Sequence, residues 1–364
     1  MLVSLYPRIF SLVSAEPPYH LAQDDMLEFV RAHLWGPNWR EHAEYATKAR
    51  LLARDFAAAK VSTRQSAINV KEYYRQRRTT GERMALYREA ACELGGAALA
   101  AALADSESLR AKQDITDLYV VSCTGYTAPG LDILLSRELG LSPTVRRTNI
   151  GHMGCFGAMV GLRQALASAR AYPGATVAML SVELCSLHLT QTDNPETLTL
   201  FALFGDAAAA LVIGHDAHAT GPEIIDVYCA ADFEAADQMS WTISDEGFLM
   251  TLSPRVPVTL RRNIAATVDG LLEPHGLRPD DITHWLVHPG GPSILSVIQR
   301  QLELSDEQMA LSWQVLRDHG NCSSATILLI LEALMKSGRP RKGEWGVMMA
   351  FGPGLTLETC LIRF

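Results

Sequence analysis

Residues 151–182 read GHMGCFGAMVGLRQALASARAYPGATVAMLSV. A glycine-rich turn leads into small and apolar residues at helical spacing, a Pro-Gly stop, and a short unbroken apolar run. The reading is a helix from Cys155 to Ala171, ended at Pro173-Gly174, then a buried parallel strand over Val177–Val182. The same order returns in residues 320–350, GNCSSATILLILEALMKSGRPRKGEWGVMMA. There Gly320-Asn321 opens a helix, Gly338 and Pro340 stop it, and a strand follows at Trp345–Met349. FGDAAAALVIG (204–214) and FGPGLTLETCLI (351–362) also match in shape: Phe-Gly, a turn, then a strand. Paired halves of this kind predict a duplicated α/β unit, with one half in residues 1–214 and the other in 215–364.

The flanking sequence fits that scheme. Pro7 to Val13 reads as an edge strand, and Asp24 to Leu34 as a helix. Residues 37–112 are mostly helical in pattern, with apolar positions three and four apart (Tyr87, Ala91, Leu94, Ala97, Ala98). A strand is expected at Asp117–Ser122 and a helix at Leu131–Leu139. An antiparallel stretch is expected near 222–252, a helix at Val258–Leu272, and a strand at Thr283–Val287 that ends in HPGG. The chain closes on a hairpin.

The chain has 364 residues, 48% of them hydrophobic and 20% charged, enough to bury a large core. Its net charge of −8 argues against a nucleic-acid partner. No apolar run reaches the ~18 residues of a membrane span. The first twenty residues carry an arginine inside their apolar stretch and read as a strand rather than a leader. Seven cysteines without tight spacing suit reduced thiols in a cytoplasm and suggest no metal site.

Three residues carry candidate chemistry. Cys155 follows Gly154 at the expected start of a helix, where the helix dipole would draw a thiol toward thiolate. The competing reading is a small buried apolar side chain. His288 ends an apolar strand at a Pro-Gly-Gly turn, a position where ligands gather in α/β sheets; alternatively it caps the turn. Asn321 stands at a helix start, where a simple N-cap is the other reading. Cys123 and Cys185 end strands and are placed to line a cavity.

Together these motifs resemble the type III polyketide synthases, the chalcone-synthase-like branch of the thiolase-fold condensing enzymes. The resemblance rests on GHMGCFGAMVGLRQA around Cys155, ALFGDAAAALVIG around Phe204, HPGGPSIL after His288, HGNCSSATILLILEAL around Asn321, and AFGPGLTLETCLI. It implies a thiolase-like five-layer αβαβα fold from two similar halves, working as a homodimer. It implies that Cys155 accepts the acyl group and that His288 and Asn321 bind the extender carbonyl and stabilise its enolate. Phe204 matches the gatekeeper of the pantetheine tunnel, and Gly352, Pro353 and Gly354 match the cyclisation-pocket loop. No tightly bound cofactor is implied; coenzyme A or phosphopantetheine thioesters are the substrates.

Some positions depart from the family pattern. The helix that carries coenzyme A cations in plant members keeps Lys60 here but has Ala53 and Phe56, with Arg54 and Arg50 as substitutes. Delivery by acyl carrier protein is therefore weighed beside acyl-CoA and malonyl-CoA. Met250 replaces a second gatekeeper aromatic. ELCSLHLTQ, with Cys185 and His188, is similar to bacterial members. A pocket with Met250 and Cys185 favours aliphatic over aromatic starters, and the resemblance to bacterial members implies a fatty acyl starter extended with malonyl units and released as an α-pyrone or resorcinol-like product. Alternative readings are a stand-alone ketosynthase that joins two carrier-bound β-ketoacyl chains into an α-pyrone antibiotic, a cysteine hydrolase using the same Cys–His–Asn order, and a non-catalytic partner subunit.

Overall fold

The computed structural model describes residues 6–106, 108–109, 111–172, 174–189, 200–216 and 219–364. The first half contains β1 (Arg8–Ala15), β2 (Tyr19–Ala22), α1 (Gln23–Trp35), α2 (Ala46–Ala58), β3 (Thr63–Ser66), α3 (Val70–Tyr73), α4 (Thr80–Asp105), β4 (Asp117–Ser122), α5 (Leu131–Leu139), β5 (Arg146–Gly151), α6 (Gly157–Ala171), β6 (Val177–Leu184) and β7 (Asp206–Gly214). The second contains β8 (Glu223–Ala231), β9 (Met239–Ser244), β10 (Gly247–Leu252), α7 (Val256–Leu272), β11 (Ile282–Val287), α8 (Pro292–Gln301), α9 (Asp306–His319), α10 (Thr326–Lys336), β12 (Trp345–Gly352) and β13 (Thr356–Arg363).

Nine strands run in the order β11-β12-β13-β8-β1-β7-β6-β4-β5. The join between β1 and β8 is a single residue pair, Arg8 with Glu223, so the order describes two sheets meeting at one corner. Strand pleat explains the layers. In β6, Val177 and Met179 belong to one apolar cluster, while Ala178, Leu180, Val182 and Leu184 belong to another. β12 divides the same way: Met348 and Ala350 face one cluster, Val347, Met349 and Phe351 the other. The shared cluster lies between the sheets and holds the apolar residues of α6 and α10. α4 and α5 cover the outside of the first sheet; α7, α8 and α9 cover the outside of the second. The result is the thiolase-like αβαβα sandwich. Both faces of the inner strands are covered, so those strands are apolar throughout rather than alternating.

The segment from Pro7 is an edge strand, as expected: β1 pairs antiparallel with β7 along almost its whole length and meets β8 at one residue pair only. Pro7 sits just before the strand, where a missing N–H costs no ladder bond. Three sequence expectations change. Residues 37–112 include β3, a four-residue strand paired with β2. Arg146–Gly151 is strand β5, parallel to β4, rather than the run-up to a helix; its polar residues gave no apolar signal because β5 lies at the end of the sheet. Helices α8 and α9 were not anticipated. Pro173, expected to stop the helix, and Thr190 and Gln191 of the ELCSLHLTQ stretch lie outside the described residues. Among the described residues no helix is long and apolar enough to cross a membrane.

Leu328 lies in α10 with no exposed surface, packed into the cluster between the sheets. Leu328→Ala is expected to lower unfolding free energy by ~2–5 kcal/mol. Leu51→Ala, on the open face of α2 and 47% exposed, is expected to change it by less than about 0.5 kcal/mol. Urea unfolding followed by circular dichroism measures both.

Candidate active site

The carboxyl ends of β4, β6 and β12 and the two turns before α6 and α10 meet in one place. Each turn needs a glycine. Gly154 has φ +77°, and a Cβ there would come within 2.3 Å of Pro353. Gly320 has φ +72°, and a Cβ there would come within 2.5 Å of the Leu203 carbonyl. These are left-handed positions that side chains disfavour. Each sets up the residue that follows it, Cys155 in one half and Asn321 in the other.

Cys155 is buried in a tight turn, Gly154–Phe156, ahead of α6. Asn321 is buried too, and its amide lies 3.9 Å (Nδ2) and 4.0 Å (Oδ1) from the Cys155 sulfur. The Ser323 N–H donates to Asn321 Oδ1 at 2.8 Å, which leaves the amide N–H bonds for the sulfur side. The Asn321 backbone is zipped to the Phe204 segment: its N–H donates to Leu203 O at 2.8 Å, and Gly205 N–H donates to Asn321 O at 3.1 Å. Buried Arg64 on β3 donates to the carbonyls of Phe201, Ala202 and Phe204, which holds that segment from behind.

His288 follows β11, and its N–H donates to Met349 O at 2.9 Å. The ring is fully buried, and neither nitrogen has a hydrogen-bond partner among the described residues. A buried imidazole with two unmet nitrogens is costly in a structural role. Burial pushes it down to about 3. Burial pushes the Cys155 thiol up to about 12, with the Glu183 charge adding to the rise. Cys155 precedes α6 but lies in a dry site, and that burial opposes the dipole-driven thiolate.

The pocket beside Cys155 is lined by Cys123, Thr124, Gly154, Cys185, His188, Leu189, Leu200, Phe204, Ser240, Trp241, Met250, Ser323 and Pro353. Of the residues singled out in the sequence, it gathers Cys155, Phe204, Met250, Cys123, Cys185, His188 and Pro353. Gly352 stands behind them: a Cβ there would lie 3.3 Å from the Cys155 nitrogen. Gly354, His288 and Asn321 are not among the lining residues; Asn321 reaches the site through the Cys155 sulfur. His188 uses both nitrogens inside the protein, with Nε2 on Thr124 O at 2.6 Å and Nδ1 accepting from Phe248 N–H at 3.0 Å. Its ring stacks on Phe248, so it is a fixed wall. Cys123 Sγ accepts from Gly154 N–H at 2.9 Å and steadies the turn. Arg54 is exposed and paired with Asp55, and Lys60 is exposed beyond α2; neither reaches the pocket.

Glu183, Ser324, Trp241 and Arg64 were not anticipated. Glu183 is fully buried; it accepts from Cys123 N–H at 3.0 Å, from Thr124 Oγ1 at 2.9 Å and from the Ser324 hydroxyl. Burial pushes it up to about 7. A signal was present. In VAMLSVEL the polar residues Ser181 and Glu183 share the face of Val177 and Met179, at the strand's carboxyl end. Trp241 closes the pocket and donates to Cys123 O at 2.7 Å.

The chain is similar to known proteins along most of its length. Residues 60–217 match "Chalcone and stilbene synthases, N-terminal domain", and residues 231–364 match the C-terminal domain of the same family. The chain is 35% identical to 1,3,6,8-tetrahydroxynaphthalene synthase of Streptomyces peucetius subsp. caesius over 96% of this chain and 91% of the relative. It is 31% identical to the alpha-pyrone synthesis polyketide synthase-like Pks18 of Mycobacterium tuberculosis over 97% and 90%. The crystal structure of PKS-I from the brown alga Ectocarpus siliculosus superposes with TM-score 0.89 at 30% identity, covering 98% of each chain.

Glu183 binds its proton more tightly in the folded chain than an ordinary carboxyl does, so its contribution to stability falls as pH rises from about 4.5 to about 7. Glu183→Gln keeps the hydrogen-bonding shape without the titration. Relative to wild type, the variant is expected to gain up to about 3 kcal/mol between pH 5 and pH 8, read by urea unfolding at each pH.

Proposed function

The chain belongs to the chalcone and stilbene synthase family, the type III polyketide synthases, and from that premise we propose that it builds its product on Cys155 from pantetheine-borne thioesters. The observation that carries this reading is the approach of the Asn321 amide to the Cys155 sulfur across the two halves of the chain, at 3.9 Å.

The starter thioester loads first. The thiol proton passes to His288, whose nitrogens have no hydrogen-bond partner among the described residues. Charging either group alone in this dry site is costly, as their shifts to about 12 and about 3 indicate. Moving one proton between them keeps the net charge at zero and adds a mutual attraction. The thiolate attacks the acyl carbonyl, the carbon–sulfur bond of the incoming thioester breaks, and the leaving thiolate takes the proton back. A malonyl thioester then loses CO₂. Its enolate oxygen is stabilised by N–H donors from His288 and Asn321. The carbanion attacks the acyl-Cys155 carbonyl, a carbon–carbon bond forms, and the Cys155 thiolate leaves. Phe204 and the apolar pocket shield the enolate from water.

Met250, Cys185, Leu189 and Leu200 bring flexible apolar side chains to a pocket that Phe204, Trp241 and His188 also line, which supports a fatty acyl starter. With a relative named for α-pyrone synthesis, this supports release of the product by lactonisation. In that step an enol oxygen of the chain attacks its own thioester carbonyl and expels the thiol. The loop Gly352, Pro353 and Gly354 would border that step. A second reading, condensation of two carrier-bound β-ketoacyl chains, is favoured by one feature: no cation lines the groove next to Phe204. It needs no malonyl unit, so release of CO₂ separates the two.

Cys155→Ala is expected to abolish the acyl adduct seen by intact-mass spectrometry. Asn321→Ala is expected to keep the adduct and lose about 10²-fold or more of malonyl-dependent product. His288→Ala is expected to do the same and to load more slowly. An adduct on Cys155→Ala overturns the assignment.

A homodimer is part of the proposal. β5 is an end strand with one unpaired edge, and Ile133 and Met153 beside it are about 40% exposed. Light scattering at micromolar concentration is expected to give twice the 39.8 kDa chain mass; the monomer mass excludes it.

A further inference from the structure

The route to Cys155 carries a division of charge. A groove adjoins the reactive pocket and is lined by Asp55, Ala58, Leu203, Leu252, Pro254 and Ile294, among others. The chain itself links the two spaces. Leu203 precedes the pocket residue Phe204, and Leu252 lies two residues beyond Met250 on β10. Among the described residues the one ionisable group lining the groove is an acid, Asp55, and its partner is Arg54 at 3.2 Å. The pantetheine arm, common to coenzyme A and a carrier protein, is uncharged and suits this lining; the two donors differ in what stays outside, several phosphates in one and a folded protein surface in the other.

Cations stand instead on the surface outside. A second cleft shares Pro257 with the groove and is lined by Val258, Arg261, Val297 and Arg300. Arg261 and Arg300 are exposed, and neither is paired with a carboxylate among the described residues. Arg255, also exposed, stands just before α7. Arg300 lies six residues past the groove residue Ile294, or about 9 Å along α8. Val258 is 54% exposed among these arginines. In a chain of net charge −8, an apolar spot ringed by unpaired arginines at a channel mouth is a local reversal.

We propose that the outer face of α7 and α8 docks an acidic acyl carrier protein, whose phosphopantetheine arm enters by the groove toward Cys155. Carboxylates on the carrier's surface meet Arg261 and Arg300, an apolar side chain covers Val258, and the uncharged arm passes Asp55. This rests on the acyl-Cys155 reading above.

The test compares three octanoyl donors, each read as adduct mass on Cys155: a bacterial fatty-acid carrier protein, coenzyme A, and free pantetheine. Wild type is expected to load from the carrier at least about tenfold faster than from coenzyme A at equal concentration. Arg261→Glu with Arg300→Glu is expected to remove about tenfold or more of carrier loading, and about 0.3 M salt to do likewise. The same double variant should keep its loading from pantetheine, which shows an intact site. Arg339→Glu, on another face, should change nothing. Carrier loading that is untouched by the double variant, or slower than coenzyme A loading in wild type, overturns the proposal. If octanoyl-pantetheine also leaves wild-type Cys155 unlabelled, the acyl-enzyme reading fails, and this proposal fails with it.

Discussion

Burial of two helices between two sheets is the constraint on which the rest of this molecule depends. α6 and α10 have almost no exposed apolar side chains, and each packs against strands of both halves. Neither half can bury its own inner face alone. The duplicated units must therefore close on each other, and the turns that begin the two helices end up side by side. Gly154 and Gly320 make those turns possible, and the residue after each points into the same space. The approach of sulfur and amide across the halves is a consequence of the packing. No local motif could produce it.

The same burial sets the electrostatics. Cys155, His288, Glu183 and Asp206 all lie in a dry interior, and all shift toward their neutral forms. In this setting a reaction that moves protons and charge between neighbours is favoured over one that requires a standing ion. The hydrogen bonds to Glu183 and to Asp206, from Cys123, Thr124, Ser324, Ser186 and Ala67, hold the backbone around the pocket. These carboxyls act as struts of the site wall.

Much of this architecture was legible in advance because its signals are local. Asp117–Ser122 and Leu131–Leu139 are a strand and a helix with the bounds that apolar runs and glycine stops imply. β3 and β5 were not legible, because a polar strand at a margin has no apolar period. Arg64 was invisible for a related reason: a buried arginine whose partners are backbone carbonyls far along the chain leaves no pattern in sequence.

By itself the sequence determined most of the element types, the repetition of one α/β unit, the family, and the candidates for chemistry. Those follow from short-range periodicity and from motifs read within a few tens of residues. Only the tertiary structure decided that Asn321 faces Cys155, that His188 is locked between Thr124 and Phe248, that the thiol is buried enough to resist ionisation, and that cations lie outside the groove. Each of these depends on distances between residues far apart in the chain and on how much water is excluded around them, and chain order encodes neither.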